Sequence, residues 1–377
     1  MQTQIQMVDL KGQYNKIKEE IDTAIQEVID SSAFINGPKV GEFADHLSRY
    51  LGGINVVPCA NGTDAIQIGL MAVGLKPGDE VILPVHTYVA TAEVIALLQL
   101  KPVFVDVHPD YFTIDVDLIE EKITSKTKAI VPVHLYGQCA DMDEIMRIAS
   151  KHNLFVIEDT AQAIGAKYTF PDGSEAFAGT IGNIGTTSFF PSKNLGCFGD
   201  GGAMFVKDDE LAKKCHMIAN HGQRIKYHHD IIGCNSRLDT LQAAILDVKL
   251  KYLDEYCKAR QNAATIYNEL LKDVPEIKTP EIFPQSTHVY HQYTIVIDES
   301  INRNELQGFL KENGIPTMIY YPVPLHWQVG YQSYNRGEVF PVTERLSRTV
   351  LSLPIHTELT IEEQEYIVKI IKKFFRK

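Results

Sequence analysis

The feature that most constrains this chain is the alternation of short β-branched runs with helical stretches between residues 54 and 160. Strands are indicated at 56–57, 81–84, 103–106, 129–133 and 155–159, and helices at 66–75, 90–98 and 142–152. Strand–helix–strand repeats of this length are typical of a mostly parallel sheet covered by helices on both faces. The sequence therefore predicts an α/β fold whose functional residues lie just past the carboxyl ends of the strands.

The rest of the chain divides into a continuation of this unit and a less regular part. A leading helix is predicted at 13–31, two further strands at 186–190 and 203–206, and a helical stretch at about 238–271. Beyond it, strands are predicted at 293–297 and 317–321, and helices at 304–312 and from 361 to the end. We expect a large domain over residues 1–254 and a smaller α+β domain over residues 255–377.

Composition excludes several classes of protein. The 377 residues carry a net charge of −12, which disfavours a general nucleic-acid binder or a binder of anionic membranes. No apolar run approaches the roughly 18 residues of a membrane span, and no secretory signal is visible. The six cysteines form no Cys-x-x-Cys pair and no His-Glu-x-x-His motif occurs, so we expect reduced thiols, a cytoplasmic location and no metal site.

Lys193 is the first candidate for chemistry. It follows a predicted strand and precedes the glycine-rich segment 199–202. Apolar and hydroxyl-bearing neighbours would desolvate its ammonium group and lower its pKa, as an amine nucleophile requires. Taken alone, the alternative of a solvated surface lysine is favoured.

Asp159 ends a predicted buried strand, where a carboxylate needs a cationic or hydrogen-bonding partner. The alternative is an aspartate that caps a helix or a turn. An acid facing a desolvated lysine suits pyridoxal phosphate, since the lysine holds the aldehyde and the carboxylate keeps the pyridine nitrogen protonated.

A phosphate site is indicated by the segment 61–64, which lies at a strand-to-helix junction. Free backbone N–H groups and the helix dipole favour an anion there, and Ser188 could add a hydroxyl. As a bare pattern, glycine and threonine at a helix start are more often only a cap.

Five stretches occur in an order that carries a family resemblance: Ala60-Asn61-Gly62-Thr63-Asp64-Ala65, Glu158-Asp159-Thr160-Ala161-Gln162, Ser188-Phe189-Phe190-Pro191-Ser192-Lys193, Gly199-Asp200-Gly201-Gly202 and the segment 235–244. Together they resemble the signature set of the DegT/DnrJ/EryC1/StrS family of nucleotide-sugar aminotransferases, over nearly the whole chain. The resemblance implies a fold-type I aminotransferase that uses pyridoxal 5′-phosphate.

The resemblance also implies roles around the cofactor ring. Lys193 would form the Schiff base and carry the proton between substrate and cofactor. Asp159 would pair with the pyridine nitrogen, and Gln162 would approach the phenolic oxygen. Tyr88 matches the aromatic residue that stacks on the ring, although a core aromatic at a helix start is its simpler interpretation.

At the phosphate, the resemblance implies Gly62, Thr63 and Ser188 as ligands. Asn235 is expected to reach the phosphate of the neighbouring subunit's cofactor, which predicts a homodimer with shared active sites.

Substrate contacts are implied for Arg237, Tyr321 and His326. The planar guanidinium of Arg237 suits a carboxylate, and a structural ion pair with Asp239 is an equal alternative. Tyr320 stands where near relatives often carry histidine, which leaves the contacts to the sugar open. His228 and His229 are expected in a loop over residues 223–232, beside the active site.

The implied reaction moves an amino group from L-glutamate to a keto group on a nucleotide-linked sugar. Finer likeness points to UDP-2-acetamido-2-deoxy-3-oxo-glucuronate and to bacterial surface polysaccharides such as lipopolysaccharide O-antigen. The alternative substrates are dTDP-3-oxo-6-deoxyhexoses or 4-oxo sugars. A hypothesis from another class is a non-catalytic regulatory protein that keeps the same fold.

Overall fold

The computed structural model describes residues 5–335 and 337–376. The α-helices in this part are α1 Leu10–Lys16, α2 Lys18–Ser31, α3 Pro38–Tyr50, α4 Gly62–Ala72, α5 Val89–Leu97, α6 Met142–His152, α7 Asp209–Ala219, α8 Thr240–Leu250, α9 Leu253–Leu271, α10 Arg303–Glu312, α11 Pro341–Thr349 and α12 Ile361–Phe375. The strands are β1 Asn55–Cys59, β2 Glu80–Pro84, β3 Lys101–Val105, β4 Thr127–Ile130, β5 Phe155–Asp159, β6 Lys167–Thr169, β7 Glu175–Phe177, β8 Ile184–Ser188, β9 Gly202–Val206, β10 Gln223–Ile225, β11 His228–His229, β12 Ile277–Lys278, β13 Tyr293–Ile297 and β14 Val350–Leu353.

The central sheet has seven strands in the order β1-β9-β8-β5-β4-β2-β3. The strands β8, β5, β4, β2 and β3 pair in parallel, and β9 runs antiparallel to both of its neighbours. The prediction of a mostly parallel sheet is confirmed. Six strands, all except β9, therefore end at one edge, where side chains from different parts of the chain can meet.

Helices cover both faces of this sheet because alternate strand residues point to opposite sides. On β2, Val81 and Leu83 belong to the apolar cluster formed with α4, α5 and α7, whereas Ile82 belongs to the cluster formed with α3, α6 and α8. Such two-sided burial explains why the strands appear in the sequence as nearly continuous apolar runs.

A second core surrounds the three-stranded antiparallel sheet β12-β13-β14, which α9, α10 and α12 cover. Helix α9 contributes Cys257 to one core of the central sheet and Tyr267 to this second core, and Ile5 also packs in the second core. The two cores therefore share a helix, and the domain boundary between residues 254 and 255 remains a prediction.

Three local predictions are wrong. Residues 317–321 form no strand and make one isolated bridge, from Met318 to Ser352. The strand that pairs with β13 is instead β14, and Pro322 and Pro324 lack the N–H groups that would extend a ladder. The predicted leading helix is split at Ile17, whose backbone is not helical, and the predicted helix at 238–271 is split between α8 and α9.

The segment that holds His228 and His229 is a two-stranded hairpin, β10–β11, rather than a plain loop. Both histidines are exposed on it. No helix in residues 5–335 and 337–376 combines the length and the apolar character that crossing a membrane requires.

Candidate active site at the carboxyl edge of the sheet

Asp159 is the last residue of β5 and is 7% exposed. The hydroxyl of Thr91, on α5, donates to its Oδ2 at 3.0 Å, and the backbone N–H of Ala161 donates to its Oδ1 at 3.1 Å. These two donors stabilise a buried carboxylate without enclosing it. The acid can therefore still face a cationic partner at the edge of the sheet.

Lys193 lies in the loop that follows β8, the strand next to β5. Burial lowers the pKa of its amine to about 8, while the nearby negative charge of Asp159 opposes that shift. A lysine with this pKa supplies a useful fraction of neutral amine close to neutral pH. The structure thus brings together the two groups that the sequence analysis paired.

Aromatic side chains lie beside this pair. The ring of Tyr321 is 6.1 Å from that of Tyr88 and 6.1 Å from that of His86, measured between centroids. Tyr88 precedes α5 and is 57% exposed, so its ring is available to a planar ligand. The interpretation of Tyr88 as a buried core aromatic does not fit this exposure.

Gln162 links two of the neighbouring tyrosines. Its Oε1 accepts the backbone N–H of Tyr136 at 2.7 Å, and its Nε2 donates to the hydroxyl of Tyr321 at 3.2 Å. Burial, with the charge of Asp159 among the smaller causes, raises the pKa of Tyr321, which keeps its hydroxyl neutral. Gln162 and Tyr321 therefore present fixed polar groups near Asp159.

An anion cradle lies at the start of α4. The Asn61 side chain accepts the N–H of Asp64 at 2.8 Å and so caps the helix. The helix gives no acceptor to the first amides, those of Gly62 and Thr63. A Cβ placed on Gly62 would lie 2.7 Å from the Cβ of Ser188, so the helix start and the serine are in close contact. Two amides and a hydroxyl thus meet in one place, as a phosphate requires.

Asn235 and Arg237 flank this cradle within the same chain. Between them, the hydroxyl of Ser236 accepts the N–H of Ala60 at 3.1 Å. Asn235 is exposed and Arg237 is partly exposed. No ion pair joins Arg237 to Asp239 in the part of the chain described, so the ion-pair alternative for Arg237 is not realised here.

His326 is buried beside Glu344 and Phe340. Its Nε2 is 3.1 Å from Oε1 of Glu344, its ring packs against Phe340, and its side chain is 1% exposed. Burial lowers its pKa, while Glu344 acts in the opposite direction. A contact between this side chain and substrate remains a prediction.

The sequence analysis assigned no role to three buried groups next to the site: His134, Glu158 and His291. His134 approaches Glu158 at 2.9 Å, and three loop amides donate to the same carboxylate. Burial alone would raise the pKa of Glu158, but the hydrogen bond from His134 and the loop amides outweigh it and hold the pKa below its ordinary value. His291 is 6% exposed, and burial together with Lys193 and Arg260 lowers its pKa well below the usual range.

One signal in the sequence could have revealed Glu158. It stands directly before Asp159 in an apolar strand, and a buried glutamate must have donors. His291 lies about a hundred residues along the chain from Lys193, and nothing local connects the two.

The donor set fits pyridoxal phosphate. The amine of Lys193 suits the cofactor aldehyde, and the acid of Asp159 suits the pyridine nitrogen. The exposed ring of Tyr88 suits the face of the cofactor ring, and the cradle at Gly62 suits the phosphate. When bound, this cofactor supplies an electron sink for carbanion chemistry.

Comparison with known families gives a match to the model of the DegT/DnrJ/EryC1/StrS aminotransferase family over residues 15–372. A pleiotropic regulatory protein of Geobacillus stearothermophilus is 47% identical over 99% of this chain and 99% of its own. The UDP-2-acetamido-2-deoxy-3-oxo-D-glucuronate aminotransferase of Pseudomonas aeruginosa is 48% identical over 94% of this chain and 96% of its own.

Among solved structures, NtdA from Bacillus subtilis, determined with bound cofactor PMP, superimposes with a TM-score of 0.89. It is 36% identical, and the match covers 96% of this chain and 83% of that one.

Proposed function

The chain belongs to the DegT/DnrJ/EryC1/StrS aminotransferase family, and on that basis we propose that it moves an amino group from L-glutamate to carbon 3 of a 3-oxo nucleotide sugar. The protein is an α/β, pyridoxal-phosphate-dependent nucleotide-sugar aminotransferase. The observation that carries the proposal is the placement of the Lys193 amine and the Asp159 carboxylate at one sheet edge, where the charge of Asp159 acts on the pKa of Lys193.

Lys193 holds the central role in this proposal. Its amine would hold the cofactor aldehyde and would move the proton at the reacting carbon. A pKa of about 8 suits both tasks, because the amine can accept and return a proton near neutral pH.

The other residues bind and orient. Asp159 would hold the proton on the pyridine nitrogen, Gln162 would approach the phenolic oxygen, and Tyr88 would cover one face of the ring. Gly62, Thr63 and Ser188 bind the phosphate. Asn235 is exposed beside its own cradle, and we assign it to the phosphate in the neighbouring subunit of a homodimer.

For the sugar, we propose UDP-2-acetamido-2-deoxy-3-oxo-glucuronate, the substrate named for the Pseudomonas aeruginosa relative. Arg237 is partly exposed and has no ion pair with Asp239, so its guanidinium can bind a carboxylate of the uronic acid or of glutamate. Tyr321 and His326 are the other proposed sugar contacts, and for His326 the contact requires its side chain, which is 1% exposed here, to become accessible. The product would serve lipopolysaccharide O-antigen synthesis in the cytoplasm.

A regulatory role is the second candidate because one relative of nearly equal identity is named a regulatory protein. That candidate does not require a lysine of lowered pKa beside a buried acid. A purified protein that binds the cofactor but shows no spectral response to L-glutamate would favour regulation.

The decisive experiment incubates the cofactor-loaded protein with L-glutamate and a panel of UDP- and dTDP-linked 3-oxo and 4-oxo sugars. Mass spectrometry then identifies any amino sugar formed. We expect product with the 3-oxo UDP-uronic acid. Preference for a dTDP-3-oxo-6-deoxyhexose would change the substrate, and activity on 4-oxo sugars alone would overturn the 3-amino assignment.

A further inference from the structure

Lys249, on α8, is a buried lysine that the proposed chemistry does not use. It is 2% exposed, and its Nζ donates to the carbonyl oxygen of Gly196 at 2.6 Å. The same ammonium lies 5.5 Å from the centroid of the Phe198 ring. Removing a charged group from water is costly, so packing alone does not account for a lysine at this position.

Gly196 belongs to the loop over residues 189–201 that carries Lys193. The N–H of Lys193 donates to the carbonyl of Phe190 at 2.8 Å, which closes a turn. A Cβ placed on Gly196 would lie 2.4 Å from the carbonyl oxygen of Pro191, so Gly196 is packed directly against that turn. Fixing Gly196 therefore fixes the turn that presents the lysine.

Two neighbouring contacts hold the loop as well. Gln242, also on α8, accepts the N–H of Phe198 at 2.8 Å. On the other side, Asn194 donates to the carbonyl of Val289 at 2.9 Å. Lys249 is thus part of a set of anchors that surrounds Lys193 but touches neither the amine nor the cradle.

We infer that Lys249 is a positioning residue for Lys193: its ammonium group fixes the Gly196 carbonyl and thereby the loop that presents the reactive amine. The inference rests on the proposed role of Lys193. Burial lowers the pKa of Lys249 to about 8, with Cys197 opposing and Arg260 adding to the shift. The charge is therefore retained near neutral pH despite its cost.

The first test measures hydrogen–deuterium exchange in the cofactor-free protein, at the amides of Lys193 and Cys197, both of which donate within the loop. We expect K249M to speed their exchange at least tenfold and K249R to restore most of the protection. K251M is the matched control, because Lys251 ends the same helix but is exposed and pairs with Glu20 at 3.4 Å.

Global stability is followed by urea unfolding, so that loop opening is separated from loss of fold. If K249M does not give folded protein, K249Q replaces it, since it is also neutral. Unchanged exchange of the two loop amides in the folded neutral variant, or an acceleration spread evenly over all helices, would overturn the inference.

The second test measures the affinity for pyridoxal phosphate, for which we expect about a tenfold loss in K249M and little change in K251M. Equal affinity in K249M and the unmodified protein would contradict the inference. Because the exchange measurement involves no turnover, a failure of the sugar assay with loop exchange still accelerated would reject the proposed function and leave the role of Lys249 standing.

Discussion

Glu158 and Asp159 are consecutive carboxylates on β5, and they serve opposite sides of the strand. Glu158 is fully buried on the closed side, where His134 and the amides of Gly179, Ile181 and Gly182 surround it. Asp159 has two donors and faces the cleft that holds Lys193.

The difference teaches how one strand supplies both rigidity and chemistry. Ala140 donates its N–H to Nδ1 of His134, so the proton of that ring lies on Nε2 and is given to Glu158. With every oxygen satisfied, Glu158 can only anchor the strand. Each oxygen of Asp159 accepts only one donor, so the carboxylate keeps acceptor capacity for a ligand.

The largest effect is expected for K193A, on the side of β5 that Asp159 faces and that we call the open side. We expect the rate of amino transfer to fall by about 10³-fold or more, because no other group can replace the amine. Steady-state kinetics measure the rate, and K251A is the control. Residual activity near that of the unmodified protein would remove Lys193 from the mechanism.

On the closed side, E158A is expected to lower the free energy of unfolding by about 3–5 kcal/mol, because it leaves several buried donors without an acceptor. Urea denaturation measures the change, and E158Q, which retains one acceptor oxygen, should cost less. If E158A is as stable as the unmodified protein, the closed side does not anchor the strand.

D159N tests the open side of the same strand. It removes the charge and keeps one acceptor oxygen, for Thr91, while the amide NH2 can no longer accept the N–H of Ala161. We therefore expect about a 100-fold loss of amino transfer and a stability loss of about 1–2 kcal/mol, smaller than that of E158A. A stability loss equal to that of E158A would abolish the distinction between the two carboxylates.

The pH dependence sharpens the link between Asp159 and Lys193. In the cofactor-free protein, labelling of Lys193 by a small aldehyde and borohydride requires the neutral amine. Its rate should rise about tenfold per pH unit and level off above pH 8. Since the charge of Asp159 raises the pKa of Lys193, D159N should level off at a lower pH, which mass spectrometry of the labelled peptide would show.

The smallest effect is expected for Y321F. Removing its hydroxyl deletes the hydrogen bond from Gln162, which is worth about 1 kcal/mol. We expect kcat/KM to fall about fivefold and the contacts of Glu158 to stay unchanged. An effect as large as that of D159N would give Tyr321 a role beyond orientation.

Much of the fold could be predicted from the sequence because its signals are local. Strands such as β2 and β5 appear in the sequence as short apolar runs, since helices cover both faces of the sheet. The false strand at 317–321 was predicted because a short apolar pattern does not show which segment pairs with β13. In the structure, β14 is the strand that pairs with it.

The site divides along the same line. Lys193, Asp159 and Gly62 belong to motifs of a few consecutive residues, so the sequence alone could predict them as site residues. His291 and Lys249 come from distant segments and become relevant only because the fold packs them near the lysine loop. No short-range pattern encodes such a contact.

The antiparallel return of β9 has a consequence for engineering. Because β8 and β9 pair with each other, the loop between them is held at both ends, where Ser188 pairs with Gly202. An insertion in this loop would displace the amine, whereas the turn between β6 and β7 projects outward at exposed Gly173 and would absorb extra residues. New sequence is therefore better grafted onto that hairpin than next to the lysine.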